Sequence, residues 1–242
     1  MPFVQQVMPQ FRDADPDGLI GLKGFMRSFQ DIHTWYMHEI RKGNDTMPEE
    51  YGAAWVYTRY HIHMRGKADY TDLLTLKAWM EPYHQPVLVN MDMTVTQHGH
   101  LIAAGKLESC IFSLTRQRPL RLTAVDFPEN MPEVIEEDIP DFDRMDRSLD
   151  GMVECYQKRV RFSDLDKSCH MNNLRYLEMF EDAYDSALWQ KMAPNDMEIC
   201  FLSQCREGEE LTVLGQEMED GVRLAACHAD GRTASLATFR KV

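Results

Sequence analysis

The sequence contains no continuous apolar stretch of 18 residues, so it predicts no membrane-spanning helix. Its first residues, MPFVQQVMPQFRDAD, lack the basic segment and apolar core that are typical of a secretory signal. The 6 cysteines show no CxxC spacing. Together these absences favour a reduced, cytoplasmic protein over a disulfide-bonded scaffold.

Positive charge is scarce in this chain. Lys and Arg together number 26 against 39 Asp and Glu, which gives a formal net charge of −13. Nucleic-acid phosphates require a basic surface, so the composition argues against a nucleic-acid-binding protein. An acidic protein partner would likewise require a local basic patch on this chain.

The 242 residues contain the same order of patterns twice. In each half a strand pattern precedes an amphipathic helix pattern, and several strand patterns follow. The first helix carries apolar residues from Leu22 to Ile40 at steps of three and four, and the second is predicted over residues 172–189. Strand patterns in the second half include EICFLSQC, residues 198–205. This order predicts an α+β fold in which each long helix is wrapped by a curled antiparallel sheet.

Local similarity supports a duplication. FRDAD at residues 11–15 aligns with FSDLD at 162–166, and TDLLTL at 71–76 aligns with GEELTV at 208–213. His98-Gly99 aligns with Asp230-Gly231, each before a strand pattern. We therefore expect one unit over residues 1–115 and another over 152–242. Residues 116–151 contain several prolines and predict an extended linker. Pairing of the two units edge to edge would remove two exposed sheet edges.

The two copies differ where the strand leads into the helix. Both carry an aspartate pair, so Asp166 is matched by Asp15 and an aspartate there cannot alone indicate catalysis. Only the second copy adds a polar set, which comprises Ser168, His170 and Asn172; the first has Asp17, Leu19 and Gly21. A requirement for helix capping alone would apply to both copies. The asymmetry therefore predicts one catalytic half and one supporting half.

The polar set suits chemistry at a carbonyl group. The start of a helix exposes unpaired backbone N–H groups, which can stabilise the oxygen of a polarised carbonyl. Asp166 can activate water or attack the carbonyl directly. His170 can orient the carbonyl or the carboxylate, and Asn172 can hold the water or simply cap the helix.

The segment SDLDKSCHMNNLRYLEMFEDA resembles the active-site segment of plant and bacterial acyl-acyl carrier protein (acyl-ACP) thioesterases. TDLLTLKAW, SLTRQRPLRL and FLSQCREGEELTV are similar to further segments of that family, so the resemblance spans nearly the whole chain. It implies a tandem hotdog fold, a pseudo-dimer of two helix-in-sheet units, and hydrolysis of fatty acyl thioesters without metal or cofactor. It further implies Asp166 as the catalytic carboxylate, His170 as its partner, and Asn172 as the first asparagine of the family's pair.

Two positions depart from the family pattern. Ser168 stands where the family usually has asparagine, and Gln204 stands where it usually has the glutamate that precedes a cysteine, here Cys205. Serine can still bind a water, whereas glutamine keeps the shape of glutamate but loses its charge. Cys205 has two interpretations: a nucleophile paired with His170, or a buried and inert cysteine.

The expected function is hydrolysis of fatty acyl-ACP to free fatty acid and holo-ACP, which ends fatty acid synthesis. The first unit is expected to shape the acyl pocket, and Arg116, Arg118 and Arg121 are candidates for docking the acidic carrier protein. A homodimer is also compatible with the sequence. The alternatives are an acyl-CoA thioesterase, a hotdog dehydratase or hydratase, and a non-catalytic acyl-binding protein.

Overall fold

A computed structural model describes residues 2–82, 87–128 and 138–242. It divides into two compact units, Met1–Asp141 (unit 1) and Phe142–Val242 (unit 2). Within the described ranges, no helix is long and apolar enough to cross a membrane.

Unit 1 is an antiparallel sheet with helices. Its main elements are β1 (Phe3–Val7), β2 (Leu19–Ile20), α1 (Leu22–Glu39), α2 (Met47–Tyr51), β3 (Ala53–Met64), β4 (Ala68–Asp69), β5 (Leu74–Met80), β6 (Leu88–Gln97), β7 (His100–Ser113) and β8 (Arg118–Pro119). The sheet runs in the order β1-β5-β6-β7-β3, and β8 also pairs with β7. The short strands β2 and β4 form a separate pair. The α+β pattern predicted for this half is therefore confirmed.

Helix α1 buries its apolar face in the core of unit 1. Phe25, Met26, Phe29 and Ile32 are each fully buried at the steps of three and four seen in the sequence. The helix approaches the sheet closely at Gly105, where a Cβ atom would lie 2.5 Å from Cε2 of Phe29. Glycine at that strand position is thus what allows the helix to lie against β7.

Unit 2 repeats this strand order. Its elements are β9 (Val153–Arg159), α3 (Asn173–Glu181), α4 (Ser186–Met192), β10 (Asp196–Phe201), β11 (Glu210–Glu217), β12 (Gly221–His228) and β13 (Thr233–Arg240). The strands run β9-β11-β12-β13-β10, which is the order of their counterparts in unit 1. Register agrees as well, because Val7 pairs with Leu74 and the aligned Lys158 pairs with Leu211. The duplication read from the sequence is present in the topology.

Two predicted elements of unit 2 differ from the structure. The helix expected over residues 172–189 is divided, because α3 ends at Glu181 and α4 begins at Ser186. Asp185 starts the second helix by accepting a hydrogen bond from the Leu188 N–H at 2.9 Å, a strong N-cap that competes with helix continuation. The strand expected over residues 198–205 ends at Phe201, so that Ser203 and Cys205 lie in a loop.

The segment predicted as a linker begins in contact with unit 1. Ser113 and Arg118 pair across β7 and β8, and Leu122 and Val125 in the following 3₁₀ turn are buried. Residues 129–137 of the predicted linker lie outside the described residues. Near its other end, Met145 and Leu149 pack against the core of unit 2.

Candidate active site in unit 2

The loop between β9 and α3 is fixed by its own backbone hydrogen bonds. The Asp166 N–H donates to the His170 carbonyl at 2.9 Å, and the Asn172 N–H donates to the Asp164 carbonyl at 2.9 Å. Asp164 also closes the turn before it, because its carboxylate accepts from the Arg161 N–H at 2.8 Å. At the loop tip Cys169 adopts a φ of 59°, in the left-handed region.

Unit 1 contains the same loop scaffold. The Asp15 N–H donates to the Leu19 carbonyl at 2.8 Å, and the Asp13 carboxylate accepts from the Gln10 N–H at 2.8 Å. Gly18 occupies the left-handed position with a φ of 81°. The backbone of this loop is therefore common to both copies, and any difference in chemistry must come from side chains.

Only one of the two carboxylate oxygens of Asp166 accepts hydrogen bonds from the described residues. Its Oδ1 accepts hydrogen bonds from the Ser168 backbone N–H at 2.7 Å and from the Ser168 hydroxyl. Its Oδ2 accepts none from the part of the chain that the structure describes. Asp166 is half-buried. Ser168, the residue that departs from the acyl-ACP thioesterase pattern, thus orients the Asp166 carboxylate. The other carboxylate oxygen, Oδ2, remains available to water or substrate.

The equivalent Asp15 is placed differently. The Oδ2 atom of Asp15 lies 3.3 Å from the Lys67 ammonium. The Asp15 carboxylate also lies over Gly21, where a Cβ atom would be only 2.2 Å from that oxygen. Asn172 stands at the position that corresponds to Gly21, so a side chain is present where unit 1 has none. Asp166 forms no ion pair with any residue in the described ranges. Asp15 therefore shares Lys67 with Asp17, whose carboxylate lies closer to it at 2.6 Å, whereas Asp166 keeps one carboxylate oxygen without a partner in the described chain.

The remaining predicted polar residues of the loop have distinct positions. His170 Nδ1 lies 3.4 Å from the Ser168 hydroxyl oxygen, while its Nε2 is buried without a partner among the described residues. Asn172 is the N-cap of α3, since its Oδ1 accepts from the Leu174 N–H at 2.9 Å. The capping interpretation of Asn172 matches this geometry.

Asn173 was missed by the sequence reasoning. Its Nδ2 is buried without a partner, and its backbone N–H, the first of α3, donates to no residue that the structure covers. The sequence signal was its place as the second asparagine of the NN pair. It adds two unused donors to the start of the helix.

The segment of Gln204 and Cys205 runs beside this loop. The Met171 N–H donates to the Cys205 carbonyl at 2.8 Å. Gln204 is exposed. The Cys205 thiol is fully buried, and it lies 3.9 Å from Nε2 of His228, so the predicted partnership with His170 is not what this geometry shows. Burial raises the pKa of Cys205 to about 11, which keeps the thiol protonated at neutral pH.

His228 also brings two other residues together. Its Nε2 lies 2.6 Å from the Ser203 hydroxyl, and its Nδ1 lies 3.1 Å from Glu209. The ligand atoms of Cys205, Glu209 and His228 lie within 4.8 Å of one another, close enough to hold a metal ion. The serine hydroxyl already occupies the ring nitrogen that faces the thiol. A serine–histidine hydrogen bond with a glutamate beside the other ring nitrogen describes this group better than a metal site does.

The arginines predicted to bind the carrier lie in unit 1. Arg116, Arg118 and Arg121 are all exposed on the turn that connects β7 to β8 and on the segment after it. None forms an ion pair with a residue of the described ranges. Their charges are thus available to a partner.

An open cleft in unit 1 is a poor candidate for the acyl chain. It measures about 610 Å³, lies between β1 and the outer face of α1, and is lined by Arg12, Asp13, Arg27 and Asp31 among others. Charged groups at its wall disfavour an apolar tail. None of residues 163–205 lines it.

Comparison with solved structures places the fold in a known class. An acyl-ACP thioesterase from Bacteroides thetaiotaomicron is 16% identical, with a TM-score of 0.80 over 99% of this chain and 97% of that one. The 12:0-ACP thioesterase from Umbellularia californica is 15% identical, with a TM-score of 0.79 over 99% and 96%. An oleoyl thioesterase from Lactobacillus plantarum is 16% identical, with a TM-score of 0.77 over 100% and 97%. The chain has the fold of acyl-ACP thioesterases.

A family model matches part of the sequence. Residues 150–236 match the family model of the acyl-ACP thioesterase C-terminal domain, which covers most of unit 2 and its polar loop. The resemblance to acyl-ACP thioesterases read from the sequence is thereby confirmed. A comparison with curated protein sequences finds no match.

Proposed function

We propose that this chain is a hydrolase of fatty acyl-ACP that releases a free fatty acid and holo-ACP and so ends fatty acid synthesis. The observation that carries the proposal is the free Oδ2 of Asp166 beside a helix start with unused donors. The family match of residues 150–236 supports the thioester as the substrate class.

The carboxylate of Asp166 drives the cleavage. Ser168 holds Oδ1, and Oδ2 either removes a proton from water or attacks the carbonyl carbon to form an anhydride that water then opens. Along either route a C–O bond forms, the C–S bond breaks, and the proton ends on the departing sulfur. A single turnover in ¹⁸O-labelled water distinguishes them, since only the anhydride route can place the label in the Asp166 carboxylate.

The start of α3 stabilises the carbonyl oxygen. The Asn173 N–H lies at the positive end of the helix dipole and is not committed to another residue of the described chain. His170 Nε2 and Asn173 Nδ2 are buried without a partner among the described residues, at a cost of about 1–3 kcal/mol each. A bound thioester or water that pairs with these atoms recovers that free energy, which favours a ligand at this place.

The two units divide the work. We assign them to the two halves of a tandem hotdog pseudo-dimer, with residues 116–151 as the linker. Unit 2 carries the chemistry, because Asp166 forms no ion pair in the described chain whereas Asp15 contacts Lys67. Unit 1 shapes the acyl pocket. Arg116, Arg118 and Arg121 dock the acidic carrier, and their lack of ion pairs in the described chain supports this role. A homodimer remains a prediction.

The test is thiol release from acyl-ACP and acyl-CoA over a range of acyl lengths. We expect Asp166→Asn to lower kcat by about 10²- to 10⁴-fold with the fold intact, as for loss of a general base. The matched control is Asp15→Asn, which alters the equivalent aspartate and should keep kcat near that of the wild type. Equal turnover of Asp166→Asn and wild type would remove Asp166 from its role. Faster turnover of acyl-CoA than of acyl-ACP would favour the alternative substrate.

A further inference from the structure

A second group of reactive side chains lies in unit 2, outside the Asp166 loop. Ser203 follows β10, Glu209 precedes β11, and His228 ends β12. The Ser203 hydroxyl lies 2.6 Å from Nε2 of His228, and Nδ1 of His228 lies 3.1 Å from a carboxylate oxygen of Glu209. The three residues thus lie in the order hydroxyl, imidazole and carboxylate, with a hydrogen bond at the first contact and an ion-pair distance at the second.

This order of groups is that of an activated serine. A hydroxyl becomes nucleophilic when an imidazole accepts its proton, and a carboxylate on the other ring nitrogen stabilises the resulting imidazolium. The Glu209 contact is short enough for an ion pair, although it is not aligned for a hydrogen bond. His228 itself is buried at 8% exposure, which strengthens both contacts.

The backbone beside Ser203 adds a donor. The Gln204 N–H, which directly follows the serine, donates to no residue that the structure describes. In serine hydrolases, the N–H after the nucleophile is one of those that stabilise the negatively charged oxygen of the intermediate. Ser203 is half-buried and Gln204 is exposed, so a small ester can approach this donor from solvent.

Cys205 is the neighbouring competitor for this role. Its sulfur lies 3.9 Å from His228 Nε2, further than the serine oxygen at 2.6 Å. The thiol is also completely buried. Serine is thus both closer to the base and more accessible than the thiol.

We propose that Ser203 is a second nucleophile, activated by His228 and Glu209, which accepts acyl groups from activated esters independently of Asp166. The serine oxygen bonds to the carbonyl carbon while the ester C–O bond breaks. The serine proton passes to His228 Nε2 and then to the departing alkoxide or phenoxide. Water, deprotonated by the same nitrogen, then releases the acid and restores Ser203.

The test uses p-nitrophenyl acetate and a fluorophosphonate probe, which loses fluoride to an activated serine. We expect one adduct per chain, on the peptide that contains Ser203, and none on Ser203→Ala. Glu209→Gln should slow labelling about 10-fold, and His228→Gln by about 10²-fold or more. Ser163→Ala, an exposed serine with no histidine contact in the described chain, serves as the matched control and should label normally.

Further variants separate this site from the proposed thioesterase site. Asp166→Asn should label at the wild-type rate even though it loses thioester turnover. Thermal unfolding of each variant detects any loss of fold, and Glu209→Gln is the safer variant because its side chain is 38% exposed. Failure of the wild type to form an adduct, or equal labelling of Ser203→Ala, would overturn the proposal without affecting the role of Asp166.

Discussion

Replacing Asp92 with asparagine should stabilise the protein at neutral and higher pH. Asp92 lies on β6 with a side chain only 8% exposed, and one of its carboxylate oxygens has no hydrogen-bond partner within the described residues. Burial, and then the charge of Glu81, raise the pKa of Asp92 from 3.8 to about 7, against the opposing pull of Lys106 at 3.8 Å. Ionising this side chain in the folded state is therefore costly.

The sign and size of the effect follow from linkage. Between pH 4 and 7 the folded state binds a proton at Asp92 that the unfolded state has released, so wild-type stability falls as the pH rises through that window. About three pKa units correspond to roughly 4 kcal/mol as an upper estimate. Asp92→Asn should thus match the wild type near pH 4 and exceed it by up to about 4 kcal/mol at pH 8.

Urea unfolding at several pH values between 4 and 8 measures this difference. Lys106 keeps two partners in the variant, Glu81 at 2.6 Å and Asp141 at 2.7 Å, so that no buried cation is left alone. Glu81→Gln is the comparison variant: it removes the charge that adds to the rise in the pKa of Asp92 but keeps the buried carboxylate, so the fall in stability between pH 4 and 8 should become smaller without vanishing. A variant that is less stable than the wild type at pH 8 would show that the attraction between Asp92 and Lys106 outweighs burial.

Three further predictions concern other parts of the molecule. Ser168→Ala should lower kcat for thioester cleavage about 10-fold, because the Asp166 carboxylate loses the hydroxyl that orients it. Ser168→Asn should retain most of the activity. Equal kcat in the wild type and both variants would refute the role of Ser168 in orienting Asp166. Reversing the charges of Arg116, Arg118 and Arg121 should raise KM for acyl-ACP but not kcat, and an unchanged KM would exclude carrier docking there. Burial lowers the pKa of His33 to about 3, so wild-type stability should fall as the pH drops below about 6.5. In urea unfolding, His33→Asn should lose this fall in stability at acid pH. If stability still falls with pH as in the wild type, the acid dependence comes from other groups.

The loop scaffold was predictable because its signals are local. FRDAD and FSDLD align in the sequence, and in the structure Asp13 and Asp164 close equivalent turns with carboxylate-to-backbone bonds of 2.8 Å. The spacing of apolar residues in α1 likewise predicted its buried face, since Phe25 and Phe29 lie about one turn apart and both are fully buried.

Contacts between distant segments were not predictable in this way. Ser203 was read as part of a strand, and nothing in the chain order indicates that it meets His228 at 2.6 Å. That contact depends on the end of β10 at Phe201 and on strand order in the sheet. The division of the second helix was missed because its apolar period continues across residues 182–185, whereas the Asp185 cap, a local hydrogen bond, ends that continuity.

The two equivalent loops, one in each unit, allow a direct comparison within one chain. Asp15 lies beside Lys67, whereas in the second copy of the turn Asp166 has no cationic partner among the described residues. Since the two turns share their Asp15 and Asp166 backbone hydrogen bonds, exchanging a few side chains is expected to change the reactivity of the turn without a new path for the main chain. On the proposed assignment, specialising one half after a duplication requires a change of side chains at one turn and no change of fold.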